Sequence, residues 1–119
     1  MNNSIYNNAI ETALSFVGKV PYVWGGASPD GFDCSGLVMY CYGIKERTTN
    51  VQQTLGTHRY DTWNAPAGAL YFWGSDSSPY HVGISLGNGN YVHAATPSDG
   101  IVLSNINSFS PNYYIVIGQ

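Results

Sequence analysis

The chain has 119 residues and a formal net charge of −3, with 44% apolar and only 9% charged side chains. Four Lys and Arg in all give no basic patch to hold nucleic acid. No apolar run approaches the ~18 residues that a membrane span needs. This length suits one domain over residues 1–119, with about two-thirds of the unfolded surface buried on folding.

In chain order, Ser4 to Val17 places Ile5, Ala9, Ala13 and Val17 at helical spacing, with Ile10 and Leu14 alongside. Ser4 is the expected cap, and Gly18 the expected left-handed end. Pro21 then blocks continuation, and "PYVWGGASPDGFD" reads as a Gly- and Pro-rich loop. A second helix is predicted from Cys34 to Tyr42, with Asp33 as N-cap and Gly43 as stop. A short helix over Thr49 to Leu55 follows. After Pro66 the segments "GALYFWG", "HVGISLG", "NYVHAAT", "GIVLSN" and "YYIVIG" are rich in β-branched and aromatic residues and separated by turn residues. They predict about five strands joined by tight turns. Helices first and an antiparallel sheet after define an α+β class.

The two cysteines, Cys34 and Cys41, are seven positions apart. On one helix that is ~10.5 Å of rise, beyond the ~7 Å that a disulfide bridges between Cα atoms. Both thiols are therefore expected to be free. Cys41, within "VMYCYG", reads as core filler. Cys34 stands at the first turn of the helix, where unpaired N–H groups and the helix dipole favour negative charge and lower a thiol's pKa. A thiolate nucleophile needs a base, and the base needs an orienting partner.

Of the three histidines, His81 and His93 lie on consecutive strands. Cys34, His81 and His93 thus form a candidate Cys-His-His triad, with His81 as base and His93 as its orienting residue. Catalysis is then expected to start from a thiolate–imidazolium pair, with a bell-shaped pH profile. The same three residues also fit a zinc site in principle, although no second Cys or acidic ligand stands at ligand spacing and no C-x-x-C pair occurs. Spacing alone leaves both readings open.

Strand parity makes one demand on this triad. A regular two-residue turn at Asn88-Gly89 is the strongest short hairpin signal, but it would set Ile84 opposite His93 and put the two histidines on opposite faces. The triad therefore requires an odd-length connection or a bulge. A loop of Gly87, Asn88 and Gly89 is expected, with a left-handed Gly89 supplying the bulge. Gly83 would then oppose His93 and leave room there for Cys34.

"PYVWGGASPDGFDCSGLVMYCY" and "HVGISLGNGNYVHA" together resemble the NlpC-type family of papain-like cell-wall cysteine peptidases. The Tyr-x-Trp-Gly-Gly, Phe-Asp-Cys-Ser-Gly, His-Val-Gly-Ile and His-Ala elements occur in the family's order and spacing, over about residues 20–95. "ERTTNVQQ" is similar to the family's Arg-Thr-Ser segment, and "APAGALYFWG" to its Pro-Gly-Asp-Leu-x-Phe-Phe strand. Ala69 departs from the family pattern by standing where Asp is usual.

The resemblance implies a papain-like fold, a Cys34 nucleophile and a proton-shuttling His81, with no metal and no cofactor. Its substrate would be a bacterial peptidoglycan stem peptide, cut at the γ-D-glutamyl–diamino acid amide or, alternatively, at the muramoyl–L-alanine amide. Tyr22 would lie beside the oxyanion, and Asp33 and Ser35 would flank the nucleophile and contact substrate. Trp24 and Trp73 are candidates to line the cleft, and His58 falls outside the motifs as a surface residue. Two rivals are an acyltransferase or transglutaminase-like enzyme on a similar fold, and a non-catalytic wall-binding module. The start "MNNSIYNNAIETAL" has no signal-peptide pattern. The expectation is a monomeric domain acting on the wall, delivered by a phage as in an endolysin or belonging to a longer secreted protein.

Overall fold

The computed structural model describes residues 3–119. Helix α1 spans Asn3–Phe16. A two-stranded ribbon, β1 (Ala27–Ser28) and β2 (Gly31–Phe32), leads into helix α2 (Cys34–Tyr42), and a single helical turn α3 (Thr49–Gln52) follows. Five strands complete the chain: β3 (Leu70–Gly74), β4 (Pro79–Gly87), β5 (Asn90–Ala94), β6 (Ile101–Asn105) and β7 (Tyr113–Ile115). They form one antiparallel sheet in the order β6-β5-β4-β3-β7. The architecture is α+β, with helices packed on an antiparallel sheet, as the order of its predicted elements implies. Among the described residues no helix is long and apolar enough to cross a membrane.

The pleat gives the sheet two different faces. Leu70, Phe72, Val82, Ile84 and Val92 pack with Ala9, Ala13, Leu37 and Val38 of the helices in the main core. The alternate residues Tyr71, Trp73 and Tyr91 turn the other way and build a smaller aromatic core with Ala65, Ala69, Ile106 and Tyr114. Ala69 is fully buried there, where a carboxylate would need a polar partner.

Several expectations need correction. Ser4 lies inside α1 rather than capping it. The helix buries Tyr6, Ala9 and Ala13, while Ile5 and Leu14 stay exposed, because the Tyr6 hydroxyl reaches the Ile117 carbonyl at 3.2 Å and draws that stripe inward. Gly18 is left-handed as expected, at φ 74°. The loop before α2 carries the short β1–β2 ribbon. The predicted helix over 49–55 is α3 followed by a 3₁₀ turn. His58 is partly buried and well partnered rather than free on the surface. Its ring stacks on Tyr113 at 4.1 Å and is held by Asp76 and Gln53 at 3.0 and 2.7 Å.

The β4–β5 hairpin meets the parity demand with a bulge rather than a three-residue loop. Gly87 pairs with Asn90, so the turn is a two-residue one, with Asn88 at φ 57° and Gly89 at φ 80°. Both positive values suit the turn that matches strand twist. The correction of register lies next to the turn, at a bulge between Ser85 and Gly87, with Gly87 at φ 87°. Beyond it Ser85 pairs with Tyr91 and Ile84 with Val92, which brings His93 level with Gly83. The bulge replaces the three-residue loop, and the two histidines share a face. Gly83 makes room for other neighbours than Cys34: a Cβ there would stand 3.0 Å from the Tyr91 ring and 3.5 Å from Trp73.

Candidate active site

Helix α2 begins at Cys34, and its sequence explains both ends. The Asp33 side chain accepts from the Gly36 N–H at 2.7 Å, and Gly43 closes the helix in the left-handed region at φ 66°. The glycine of Cys-Ser-Gly answers a close approach, since a Cβ at Gly36 would run into the Gly26 carbonyl. The cap therefore presses the start of α2 against the loop that carries Tyr22 and Trp24.

Arg47 completes this corner. Its guanidinium donates to both carboxylate oxygens of Asp33, at 3.1 and 2.9 Å, and to the Ser35 hydroxyl at 3.0 Å. Beneath it, the fully buried Gln52 donates to the carbonyls of Ser35 and Glu46. Thr49 donates to the Pro79 carbonyl at 2.6 Å, tying α3 to the strand that carries His81.

His81 and His93 meet on the aromatic face of the sheet. Nε2 of His81 lies 2.8 Å from Nδ1 of His93, and Nε2 of His93 lies 3.0 Å from the Ser104 hydroxyl. Three of the four ring nitrogens are thereby engaged, and Nδ1 of His81 is left for a further partner. Trp73 lies beneath both rings, with centroids 5.0 Å from His81 and 6.3 Å from His93. It is fully buried, so of its two readings, cleft wall and core, the structure gives core. Its indole N–H has no hydrogen-bond partner.

One cleft of about 840 Å³ gathers Cys34, His81, His93, Tyr22, Asp33 and Ser35. Trp24 stands on its rim, 88% exposed. The structure therefore brings the predicted residues Cys34, His81, His93, Tyr22, Asp33, Ser35 and Trp24 to one cleft, and Trp73 lies in the core instead. Among the described residues no three His, Cys, Asp or Glu side chains are grouped to hold a metal ion. The two imidazoles direct nitrogens at each other, which disfavours the zinc reading.

Burial reverses the expected resting charges. Desolvation is the largest influence on Cys34 and pushes its thiol up, against the smaller opposing pull of main-chain N–H groups of Val82 on β4 and of Ser35 and Cys34 at the helix start. Burial, reinforced by the charge His93 would carry, pulls His81 down to about 3. Burial likewise pulls His93 down to about 4, against the opposing pull of Asp99. At neutral pH the site therefore rests as a thiol and two neutral imidazoles rather than as an ion pair. The Tyr22 phenol is also pushed up, by burial first and then by the Cys34 and Asp33 charges, so it stays a hydrogen-bond donor. Burial pushes Cys41, half-buried against the main core, up to about 12. Both cysteines are free.

Such an arrangement can deliver a sulfur nucleophile with a neutral base and a phenolic donor beside it. Arg47, Gln52 and Ser104 escaped the residue-level reading. For Arg47 the available signal was scarcity, as one of four basic residues and adjacent to Thr-Thr. Ser104 had only parity, as a polar residue on the same strand face as Val102, which pairs with His93.

A capped helix with cysteine at its start, set against a sheet carrying paired histidines, defines a papain-like class of thiol site. Residues 18–118 match the model of the NlpC/P60 family, and the chain belongs to that family. It is similar to Protein P54 of Enterococcus faecium, 39% identical over 111 residues that cover 89% of this chain and 21% of that protein. It is also similar to the "Probable peptidoglycan endopeptidase LytE" of Bacillus subtilis (strain 168), 32% identical, covering 87% of this chain and 31% of that protein. The chain thus spans about a fifth to a third of these curated relatives.

Among solved structures, the NlpC/p60 domain of the peptidoglycan hydrolase SagA superposes with a TM-score of 0.83 at 37% identity, covering 92% of this chain and 97% of that one. The P60 domain of antigen MAP1204 from M. avium subspecies paratuberculosis gives a TM-score of 0.82 at 28% identity, covering 98% and 96%.

Proposed function

We propose that this chain is a peptidoglycan hydrolase that cuts the γ-D-glutamyl–diamino acid amide of stem peptides, with Cys34 as nucleophile, His81 as base and His93 as its orienting residue. The observation that carries this reading is the His81–His93 pair at 2.8 Å, on the wall of the cleft that also holds the Cys34 thiol. Relatives named as peptidoglycan endopeptidases and hydrolases support the substrate class.

In this mechanism the Cys34 proton passes to Nδ1 of His81 as the sulfur attacks the amide carbonyl carbon. The imidazolium so formed is steadied through its Nε2–H by Nδ1 of His93. The carbonyl oxygen becomes an oxyanion facing the Tyr22 hydroxyl and the N–H groups at the start of α2. Collapse breaks the C–N bond, and His81 returns its proton to the departing amine. Water, activated by the now neutral His81, then hydrolyses the thioester. A neutral resting pair suits this order, because charge separates only when substrate has arrived.

Digestion of purified peptidoglycan followed by mass spectrometry of the new termini tests the proposal. A new diamino-acid amine is expected. A new L-alanine amine would instead identify a muramoyl–L-alanine amidase, and no new terminus at all would overturn hydrolysis.

A further inference from the structure

We propose that Ser104 is a positioning residue that fixes the tautomer of His93 and, through it, leaves Nδ1 of His81 unprotonated and ready to accept the thiol proton. The proposal rests on the reading of His81 as the base.

A neutral imidazole carries one N–H, so two neutral histidines joined by a hydrogen bond have two possible polarities. In one, Nδ1 of His93 carries the proton and donates to Nε2 of His81. His81 is then protonated on Nδ1 and cannot act as a base there. In the other, His93 is protonated on Nε2, its Nδ1 accepts from His81, and Nδ1 of His81 is free. Distances alone do not choose between them. The group bonded to Nε2 of His93 does, and that group is Ser104 at 3.0 Å.

A hydroxyl can donate or accept, so its own proton needs a destination. Ser104 sits on β6, directly opposite Tyr91 and diagonal to His93. The Tyr91 hydroxyl donates to the Phe109 carbonyl at 3.0 Å, and a carbonyl only accepts. The Tyr91 oxygen is thereby left as an acceptor, and Ser104, opposed to Tyr91 across the strands, is the side chain we assign to donate there. Burial raises the Tyr91 phenol to about 12, and Ser104 opposes that shift in the direction a donor would. With its proton directed at Tyr91, the Ser104 oxygen faces His93 as an acceptor. The run then has one direction throughout: His81 donates to His93, His93 to Ser104, Ser104 to Tyr91, and Tyr91 to the Phe109 carbonyl.

The surroundings of His93 hold this direction. Trp73 stacks on it with an interplanar angle of 17°, and Tyr91 meets it edge-on at 4.8 Å. The titratable groups that face it are His81, Tyr91 and Asp99. Asp99 favours a charged His93 but accepts no hydrogen bond from its ring, so it does not select a neutral tautomer.

Nitrogen NMR of the imidazole rings, read beside steady-state kinetics on peptidoglycan, tests the proposal. In the wild-type protein both histidines should carry their proton on Nε2. Ser104→Ala should give mixed tautomers at both rings and lower kcat by about tenfold with KM unchanged, the low end for loss of a histidine's orienting partner. Ser104→Thr, which keeps the hydroxyl, should restore both readouts. Tyr91→Phe, which keeps the ring but removes the acceptor for the Ser104 proton, should also mix the tautomers. A wild-type His93 protonated on Nδ1, or ring spectra unchanged in Ser104→Ala, would overturn the proposal. The spectra need no substrate, so an inactive wild-type protein would remove the hydrolase reading while the tautomers still decided the role of Ser104.

Discussion

Arg47 grips both oxygens of the Asp33 carboxylate while that same carboxylate caps the helix beginning at Cys34. One side chain thus serves as helix cap and as anchor for the segment leading to α3. Asp33→Ala should destabilise the fold by about 1–2 kcal/mol through loss of the cap. Asp33→Asn, which retains an oxygen for the Gly36 N–H, should cost less, because the ion pair is partly exposed. Urea midpoints of the two variants measure the difference. Equal losses would show that the cap contributes little.

Cys34 and Cys41 should differ sharply in chemistry. Cys34 lines the cleft, whereas Cys41 packs half-buried against the main core, outside the cleft, with its thiol pushed up to about 12. Iodoacetamide should label Cys34 first. Cys34→Ala should abolish wall lysis with an unchanged circular dichroism spectrum, and Cys41→Ala should spare lysis. Equal labelling of the two thiols in the native protein would remove the distinction.

The pH profile should follow the neutral resting pair. His81 stays uncharged until the acid range near its value of about 3, and the Cys34 thiol stays protonated past its ordinary range. Activity should therefore hold level from about pH 5 through neutrality and decline only beyond each limb. Native protein at neutral pH should show no ultraviolet thiolate absorbance. A thiolate signal there, or an acid limb close to the ordinary histidine value, would restore the ion-pair picture. EDTA should leave activity unchanged.

The same histidines make stability depend on pH. Their folded values of about 3 and about 4 lie below the ordinary 6.5. Above 6.5 neither state is protonated at these sites, and stability is at its full level. As the pH falls below that value, the unfolded chain takes up protons that the folded one refuses, so stability drops until the folded values are reached. The urea midpoint should therefore be lower at about pH 5 than at about pH 7.5, and His93→Gln should flatten that slope. An unchanged slope in His93→Gln would mean that His93 does not remain neutral in the fold.

Much of this could be read from local chemistry. Asp33, Cys34 and Gly43 announce a helix through start and stop signals that act within one turn. The five strands follow from short β-branched runs between turn residues. The demand for a bulge followed from the parity of His81 and His93. Its place did not, because Asn88-Gly89 keeps its preferred turn and Gly87 absorbs the extra residue one step away. Long-range partners were harder to see. Gln52 meets Ser35, Thr49 meets Pro79, and Ser104 meets His93 only after the chain has folded back. Trp73 stayed open between cleft wall and core because an aromatic residue serves as either until the sheet's faces are assigned. The charge state at Cys34 was misjudged for a similar reason: a helix start is a local feature, whereas desolvation depends on the whole surrounding packing.

Residues 81 and 82 of β4 are consecutive, yet they belong to opposite sides of the sheet. Val82 is buried in the main core, against which Cys34 packs, while the ring of His81 rests on Trp73. Thiol and imidazole are thus mounted on two separate bodies that share a single strand as their hinge pin. The gap between them is set by how firmly α1 and α2 seat on the sheet. A repacking at Ala13 or Leu37, with no atom in the cleft, would act on that gap as a screw acts on the jaws of a vice.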